Sequence, residues 1–202
     1  MVSAPARKQK RRTDPRVRPA DRVILRPTAP TVTLTRMQSG IGTLSIEAAC
    51  SPEVGDLRLG AAYELADGAT STMQMTQGEK FAPAHSKRPV LIGSREQFEH
   101  IAIDLRQIRD LRRLVIYAFS ESRSPLTWGG TLITTTFGGA RVELPLETLE
   151  GGNVAVLQSL YVVDGECVLR AEMQSLYGDV REAARAYGFD RITWLDDRTP
   201  VI

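Results

Sequence analysis

The stretch VAVLQSLYVVDGECVLRAEM, residues 154–173, decides the fold class of this chain. Two runs rich in Val, Leu and Tyr flank Asp164-Gly165, a dipeptide that accepts the positive φ angles of a tight hairpin turn. The stretch therefore predicts a β-hairpin in which Val154 to Val163 pairs with Cys167 to Met173.

The same pattern of short apolar runs and turn residues continues towards the N-terminus. The run LRLGAAYEL, residues 57–65, is typical of a strand and ends at Ala66-Asp67-Gly68, a second hairpin-type turn. Further strands are predicted within residues 32–34, 44–46, 71–76, 101–104, 114–119, 131–137 and 141–146. Many short strands with turn signals about every 8–12 residues, and no βαβ rhythm, favour an all-β (mainly β) fold, either a sandwich or a barrel.

One short C-terminal helix is indicated after the hairpin. Asp179 is a favourable N-cap, and Glu182 stands three residues later, where it completes a capping box. The apolar residues that follow the cap recur at helical spacing and precede Gly188, a typical C′ residue; they are Val180, Ala183, Ala184 and Tyr187. A helix of about eight residues does not persist alone, so we expect it to pack on the sheet. A further helical turn is expected at residues 106–111.

The N-terminal 30 residues differ in composition from the rest of the chain. They contain five Pro and no periodic apolar pattern. We therefore expect a disordered tail over residues 1–30, with a short strand at 23–25 near its boundary, and a folded domain over residues 31–202. Residues 1–26 hold nine Lys or Arg against two Asp, in a chain whose net charge is only +2. The side chains expected to bind a polyanion are Arg7, Lys8, Lys10, Arg11, Arg12, Arg16 and Arg18.

Three interpretations of this basic tail stay open: binding to the phosphates of a nucleic acid, binding to an anionic membrane surface, and a solubilising linker with no partner. The basic tail has no aromatic side chain, which argues against single-strand binding by base stacking. No apolar run approaches the ~20 residues of a transmembrane helix, and no apolar segment of a secretory signal follows the N-terminal charges. A cytoplasmic location is therefore expected.

The sequence shows no recognisable catalytic or metal-binding motif. His85 and His100 have no nucleophile elbow or ligand-spaced partner, and Cys50 and Cys167 are far apart and are expected to be reduced thiols. The Gly pairs of the chain lack the Lys-Ser/Thr of a phosphate-binding loop. We therefore expect a protein that is not an enzyme. An enzyme with an unrecognised site would need one of the two histidines beside a buried carboxylate.

The order of segments from Val32 to Gly188 resembles the TerD family of tellurite-resistance and stress-response proteins. The resemblance rests on VTLTR (32–36), GDLRLGAAYELADG (55–68), GSREQFEHIAIDLRQIRDLRRLVIYAFS (93–120) and LYVVDGECVLRAEMQSLYGDVREAARAYGF (160–189). It implies a two-sheet β-sandwich and a non-catalytic role in a bacterial assembly, with partners among Ter-type or stress-response proteins. The alternative function is an adaptor whose basic tail binds nucleic acid or an anionic membrane surface.

Members of this family bind calcium through clustered acidic residues, and the resemblance carries these over only in part. Asp56 matches the first acid of the family's Asp-Leu-Asp segment, and Glu96 matches one acid of its Gly-Asp-Asp-Glu loop. Arg58, Ser94 and Arg95 stand where the resemblance places the other acids. Calcium takes about six to eight oxygen ligands. We therefore predict a degenerate site and no cofactor, calcium included.

Overall fold

The computed structural model describes residues 15–95 and 98–201, and in these residues thirteen strands form two sheets. In chain order the strands are β1 (Arg22–Ile24), β2 (Thr31–Thr33), β3 (Thr43–Ala49), β4 (Leu57–Leu65), β5 (Thr70–Gln74), β6 (Phe81–Ala82), β7 (Leu91–Arg95), β8 (Glu99–Asp104), β9 (Leu111–Ser120), β10 (Thr131–Thr135), β11 (Arg141–Pro145), β12 (Val154–Val163) and β13 (Glu166–Leu176). The α-helices are α1 (Arg36–Gly40) and α2 (Val180–Ala186), and short 3₁₀ helices lie at Pro52–Val54, Met75–Gln77, Leu105–Asp110 and Leu146–Thr148. In this part of the chain no helix is both long and apolar enough to cross a membrane.

The two sheets pack face to face as a β-sandwich, so the predicted fold class is confirmed. One sheet has six strands in the order β2-β13-β12-β9-β4-β5, and the other has seven in the order β1-β11-β10-β3-β8-β7-β6. Alternate residues of each strand point into the shared core, because side chains in a strand alternate between its two faces. Core residues include Leu44, Ile46, Ile101 and Ile103 from the seven-stranded sheet, and Leu59, Ile116, Leu157 and Leu169 from the six-stranded sheet.

The hairpin predicted from residues 154–173 is present as β12 and β13. Val163 lies opposite Glu166 across the turn. Both turn residues adopt the positive φ that their types favour, 51° at Asp164 and 77° at Gly165. Local turn chemistry therefore sets the register next to the turn, and a β-bulge between Val156 and Gln158 shifts it farther along the pair.

The outer face of the six-stranded sheet is covered by α2, which forms a second, smaller core there. The backbone N of Glu182 donates to the Asp179 side chain at 2.8 Å, and the Glu182 carboxylate accepts from the Asp179 backbone N at 3.2 Å. The predicted capping box is thus confirmed. The second core joins Val180, Ala183, Ala184 and Phe189 to Ala62, Val115, Tyr117, Phe119, Val154 and Val156 of the sheet.

Residues 15–30 change the predicted domain boundary, because they belong to the sandwich. Val17 is fully buried, and its backbone N donates to Thr33 O at 3.1 Å. Strand β1 pairs in parallel with β11, and Leu25 just after it is buried. The expected disorder is therefore wrong for residues 15–30. The free energy gained from strand pairing and from burying Val17 and Leu25 exceeds the cost of ordering this segment. A Pro- and Arg-rich composition without a periodic pattern gives no sign of that gain. Arg7, Lys8, Lys10, Arg11 and Arg12 lie outside the described residues.

The strands are connected at two opposite ends of the sandwich. We call one the α1 end; it comprises residues 15–22, α1, the Leu105–Asp110 helix, and the turns at 136–140 and 164–165. We call the other the Asp56 end; it comprises the loops at 50–56, 121–130, 146–153 and 177–179.

Candidate functional site

Two segments that the sequence singled out meet at the Asp56 end. Arg58 lies on β4 of one sheet, and Arg95 ends β7 of the other. Both side chains approach Glu99 at the start of β8: the Nε atoms of Arg58 and Arg95 lie 3.9 Å and 3.4 Å from its Oε1. Arg58 also forms an ion pair with Glu121 on the loop after β9. The site is therefore a cross-sheet cluster of two cations and two carboxylates.

A cleft of about 220 Å³ opens beside this cluster. Its walls are the loop from Cys50 to Gly55, the start of β4, and the residues Arg95, Phe98 and Glu99. Glu99 is almost completely buried, with 6% of its side chain exposed. Burial raises the pKa of Glu99, although the neighbouring Arg58 and Arg95 guanidiniums act to lower it. The wall of the cleft therefore contains a carboxylate whose negative charge the two arginines compensate only in part.

The raised pKa of Glu99 leads to a prediction about stability. A group whose pKa is higher in the folded chain stabilises it below the unfolded pKa, and this contribution is lost as the pH rises through the folded pKa. Glu99→Gln keeps the shape and removes the charge. We expect its free energy of unfolding at pH 7 to equal or exceed that of the wild type, and the difference to vanish at about pH 4. Urea denaturation at both pH values measures this. A clear loss of stability at pH 7 would show that the two arginines outweigh burial.

Asp56 has a different environment from Arg58, although only one residue separates them. It accepts hydrogen bonds from Ser120 Oγ at 2.7 Å and from the Ser122 backbone N at 2.6 Å. Burial acts to raise the pKa of Asp56, but the bonds from the two serines outweigh it and the pKa is lowered. Asp56 therefore fixes the start of the loop after β9. Glu96, the other acid that the resemblance retains, lies outside the described residues.

Ser94 is not part of the cleft but lies on the outer face of the seven-stranded sheet, where it contacts His100. The two ring nitrogens of His100 are within hydrogen-bond distance of two hydroxyls, Ser45 Oγ at 2.6 Å from Nε2 and Ser94 Oγ at 3.0 Å from Nδ1. The hydrogen bonds of His100 to described residues include no carboxylate, which a triad would require. His85 is exposed in the loop before β7 and has a positive φ of 60°.

The two cysteines are free thiols in separate places. Cys167 is buried in the main core, and Cys50 is half-buried at the cleft. Burial raises the pKa of each thiol to about 11, so both are protonated at neutral pH. Across residues 15–95 and 98–201, no three His, Cys, Asp or Glu side chains are grouped to hold a metal ion.

Two of the side chains that were expected to bind a polyanion, Arg16 and Arg18, are among the described residues, and both lie at the α1 end. Arg16 Nη2 is 3.0 Å from Glu166 Oε2 and its side chain is 58% exposed. Arg18 is exposed, and its backbone N donates to the Asp21 side chain at 2.8 Å. Their guanidiniums are thus accessible on the surface of the folded domain, not on a detached tail.

The sequence did not indicate a second cluster of charged side chains, which is centred on Glu64. This buried carboxylate accepts from Arg112 Nη1 at 2.9 Å, Arg113 Nε at 2.8 Å and Arg191 Nη2 at 3.4 Å. Arg113 also donates to the backbone oxygens at residues 187 and 188, just after α2, and stacks 4.3 Å from the ring of Phe189. The cluster therefore holds the C-terminal segment on the sheet. No local pattern announces it, because its members are far apart in sequence.

Comparisons with known proteins bear on the fold alone. No family model matches this chain, and no curated protein does. A solved structure, titled "Crystal structure of unknown function protein SAV2460", is similar with a TM-score of 0.52 at 16% sequence identity. The similarity covers 74% of this chain and 98% of that chain. This chain thus shares the overall architecture of SAV2460.

Proposed function

We propose that this chain is a non-catalytic, TerD-like binding domain that acts through protein contacts in a bacterial tellurite-resistance or stress-response assembly in the cytoplasm. The observation that carries the proposal is the meeting of Arg58 and Arg95 at Glu99. The resemblance assigns these arginines to the two segments that carry calcium ligands in the family. Their approach in space is what such an assignment requires of two segments so far apart in sequence.

In the proposed function the Asp56 end is held together by ion pairs within the protein. Arg58 lies between Glu99 and Glu121, with only 14% of its side chain exposed. Its guanidinium occupies the space where a cation would neutralise the same carboxylates. Arg95 adds a second positive charge beside Glu99. A divalent cation would meet two positive charges and too few oxygens to complete its coordination.

We therefore expect calcium to leave the melting temperature of the intact chain unchanged. A ligand present at about 100 times its dissociation constant stabilises a fold by about 2.7 kcal/mol, which thermal unfolding detects readily. The measurement compares melts in excess calcium with melts in a chelator, and calorimetry supplies the binding isotherm. The matched variant Arg58→Asp/Arg95→Asp exchanges both cations for carboxylates and tests the role of charge. A strong calcium-dependent rise in the wild type would contradict the proposed degenerate site.

The proposed role in a tellurite-resistance or stress-response assembly is tested in the host bacterium. Deletion of the gene should lower tolerance to tellurite, and the wild-type gene should restore it. Affinity capture of the tagged, full-length chain should recover Ter-type or other stress-response proteins. Unchanged tolerance together with no such partner would reject this function and leave the fold assignment intact.

A further inference from the structure

At one side of the sandwich the gap between the two sheets is only partly covered. The edge strands there are β1 and β2, and residues 25–30 connect them. Strand β1 ends at Ile24 and β2 begins at Thr31, whereas their neighbours β11 and β13 continue to Pro145 and Leu176. Within the described residues no strand pairs with the free edges of these continuations. The two sheets are therefore accessible from the side at this place.

A pocket of about 330 Å³ lies in this gap, within the range of about 300–1,000 Å³ that is usual for small-molecule sites. Both sheets and the connection between the edge strands supply its apolar walls, which are Leu25, Pro27, Leu144, Pro145, Ala171 and Met173. Three of these side chains are buried members of the main core, and Met173 packs against that core. The pocket is therefore continuous with the main core, and a ligand in it would bury apolar surface.

Two polar side chains of the pocket have no partner within the described protein. Arg26 and Thr28 are exposed on a tight turn, which is closed by hydrogen bonds from Arg26 N to Ala29 O at 3.3 Å and from Ala29 N to Arg26 O at 2.9 Å. Neither the Arg26 guanidinium nor the Thr28 hydroxyl bonds to a described residue. Thr148, the third polar residue, donates to a backbone oxygen at 3.5 Å. A cationic donor and a hydroxyl are thus available to a ligand.

The positive charge of Arg26 is not offset by an acid in the pocket, since no lining residue is Asp or Glu. The acids next to lining residues of β11 and β13 are Glu143 and Glu172, which alternation places on the outer faces of the sheets. Glu143 pairs with two arginines at 2.7 Å and 3.4 Å, and Glu172 accepts from a serine hydroxyl at 2.7 Å. The exposed Glu147 lies near Cys50, where its charge adds to the effect of burial in raising the thiol pKa. The pocket therefore favours an anion.

Met173 in the wall of the pocket has an uncommon backbone conformation. Its φ of 50° lies in the left-handed region, which residues other than glycine seldom adopt. Met173 belongs to the β-bulge of the hairpin. Val156 pairs with Gln174, and the next pair is Gln158 with Ala171, so β13 has two residues here and β12 only one. Bulges re-aim side chains, and strained residues are concentrated at binding sites, so the conformation of Met173 supports a binding role for this wall.

We propose that this pocket binds a small organic acid, with the apolar part of the ligand against Leu144 and Met173 and its carboxylate on the guanidinium of Arg26. Apolar walls with a few polar groups that fix the orientation are the usual composition of a small-molecule site. A guanidinium presents parallel donors that match the two oxygens of a carboxylate. An amine would be repelled by Arg26, and an alcohol would gain the burial without the ion pair. The site is distinct from the cleft at Glu99 and does not depend on the proposed function.

The test titrates the full-length chain, labelled in its methionine methyl groups, with straight-chain carboxylates from butanoate to decanoate and records NMR spectra. We expect saturable shifts of the Met173 methyl signal and none at Met37, which is 70% exposed at the α1 end. The affinity should rise about fourfold with each added methylene until the pocket is full. Octanoate should bind at least about tenfold more tightly than octanol, the scale of one charge-assisted hydrogen bond. If no acid of the series shifts Met173 saturably, or if octanol binds as tightly as octanoate, the proposal is overturned.

Arg26→Gln tests the charge, because it removes the cation and keeps a side chain of similar length. Its affinity for octanoate should fall about tenfold, while its affinity for octanol stays unchanged. The matched control is Arg109→Gln, at an exposed arginine of the Leu105–Asp110 helix, and it should bind octanoate as the wild type does. Thermal melts verify that both variants are folded. An equal affinity of the two variants for octanoate would overturn the proposal.

Discussion

Gly60→Ala is expected to lower the free energy of unfolding by about 2–3 kcal/mol, because it overpacks a site that has no free space. Gly60 on β4 lies opposite Tyr117 on β9, and the ring of Tyr117 fills the space where a Cβ would stand. Tyr117 is almost fully buried in the second core under α2, so its ring has no solvent to move into. General propensity predicts the opposite sign, since alanine is better than glycine within a strand.

Urea denaturation of Gly60→Ala beside Gly138→Ala measures this effect. Gly138 lies in the turn between β10 and β11, and no atom lies within 4 Å of a Cβ built there. The control should therefore remain within about 0.5 kcal/mol of the wild type, as is usual for surface changes. A Gly60→Ala variant as stable as the control would mean that the sheet yields at this position.

Glu64→Gln is expected to destabilise the chain by about 2–4 kcal/mol at pH 7, because the variant leaves three guanidiniums without their shared carboxylate. Arg113 is the partner with the least exposed side chain, 23%, and also anchors the segment after α2. The loss should therefore loosen the C-terminal segment as well as lower global stability. Hydrogen exchange of residues 187–192 measures the local effect. Glu150→Gln, at an exposed carboxylate, is the matched control.

The pH dependence of this effect has a definite sign. The hydrogen bond from Arg113 lowers the pKa of Glu64, and the charges of Arg113, Arg112 and Arg191 lower it further against the effect of burial. A lowered pKa gives stability that is present above the unfolded pKa and is lost as the pH falls through the folded pKa. The difference between wild type and Glu64→Gln should therefore shrink in acid. A difference that is constant between neutral and strongly acidic pH would exclude ionisation of Glu64 as its cause.

Predictions from local patterns agree closely with the structure. Strand β4 has the predicted bounds, Leu57–Leu65, and the Asp179 capping box begins α2. These features depend on side-chain alternation, turn residues and caps, which involve neighbours in sequence. The N-terminal boundary was wrong because Val17 is an isolated apolar residue and 23–25 is a run of only three, and their burial depends on pairing with strands that are distant in sequence.

The candidate site was predictable only in part. The resemblance assigns Arg58 and Arg95 to the site, but no sequence pattern predicts that Glu99 and Glu121 are their partners. The resemblance assigns both Ser94 and Arg95 to the site, but the alternation of β7 places the Ser94 side chain on the opposite face of the sheet, with His100. Arg16 and Arg18 were expected on a flexible tail and lie on the folded surface.

The amino-acid sequence by itself determined that this chain is mainly β with a capped C-terminal helix, since periodicity and turn chemistry act over a few residues. The residue pattern left a sandwich and a barrel open, and the structure shows the sandwich. Only the tertiary structure decided which strands share a sheet and which charges meet. It brings Glu64 to Arg191 and Phe137 to Gly42, pairs that are far apart along the chain. The reason is physical. Ion pairs and contacts between loops depend on distances across the fold, and these distances are set by the packing of the whole core and not by residues that are neighbours in sequence.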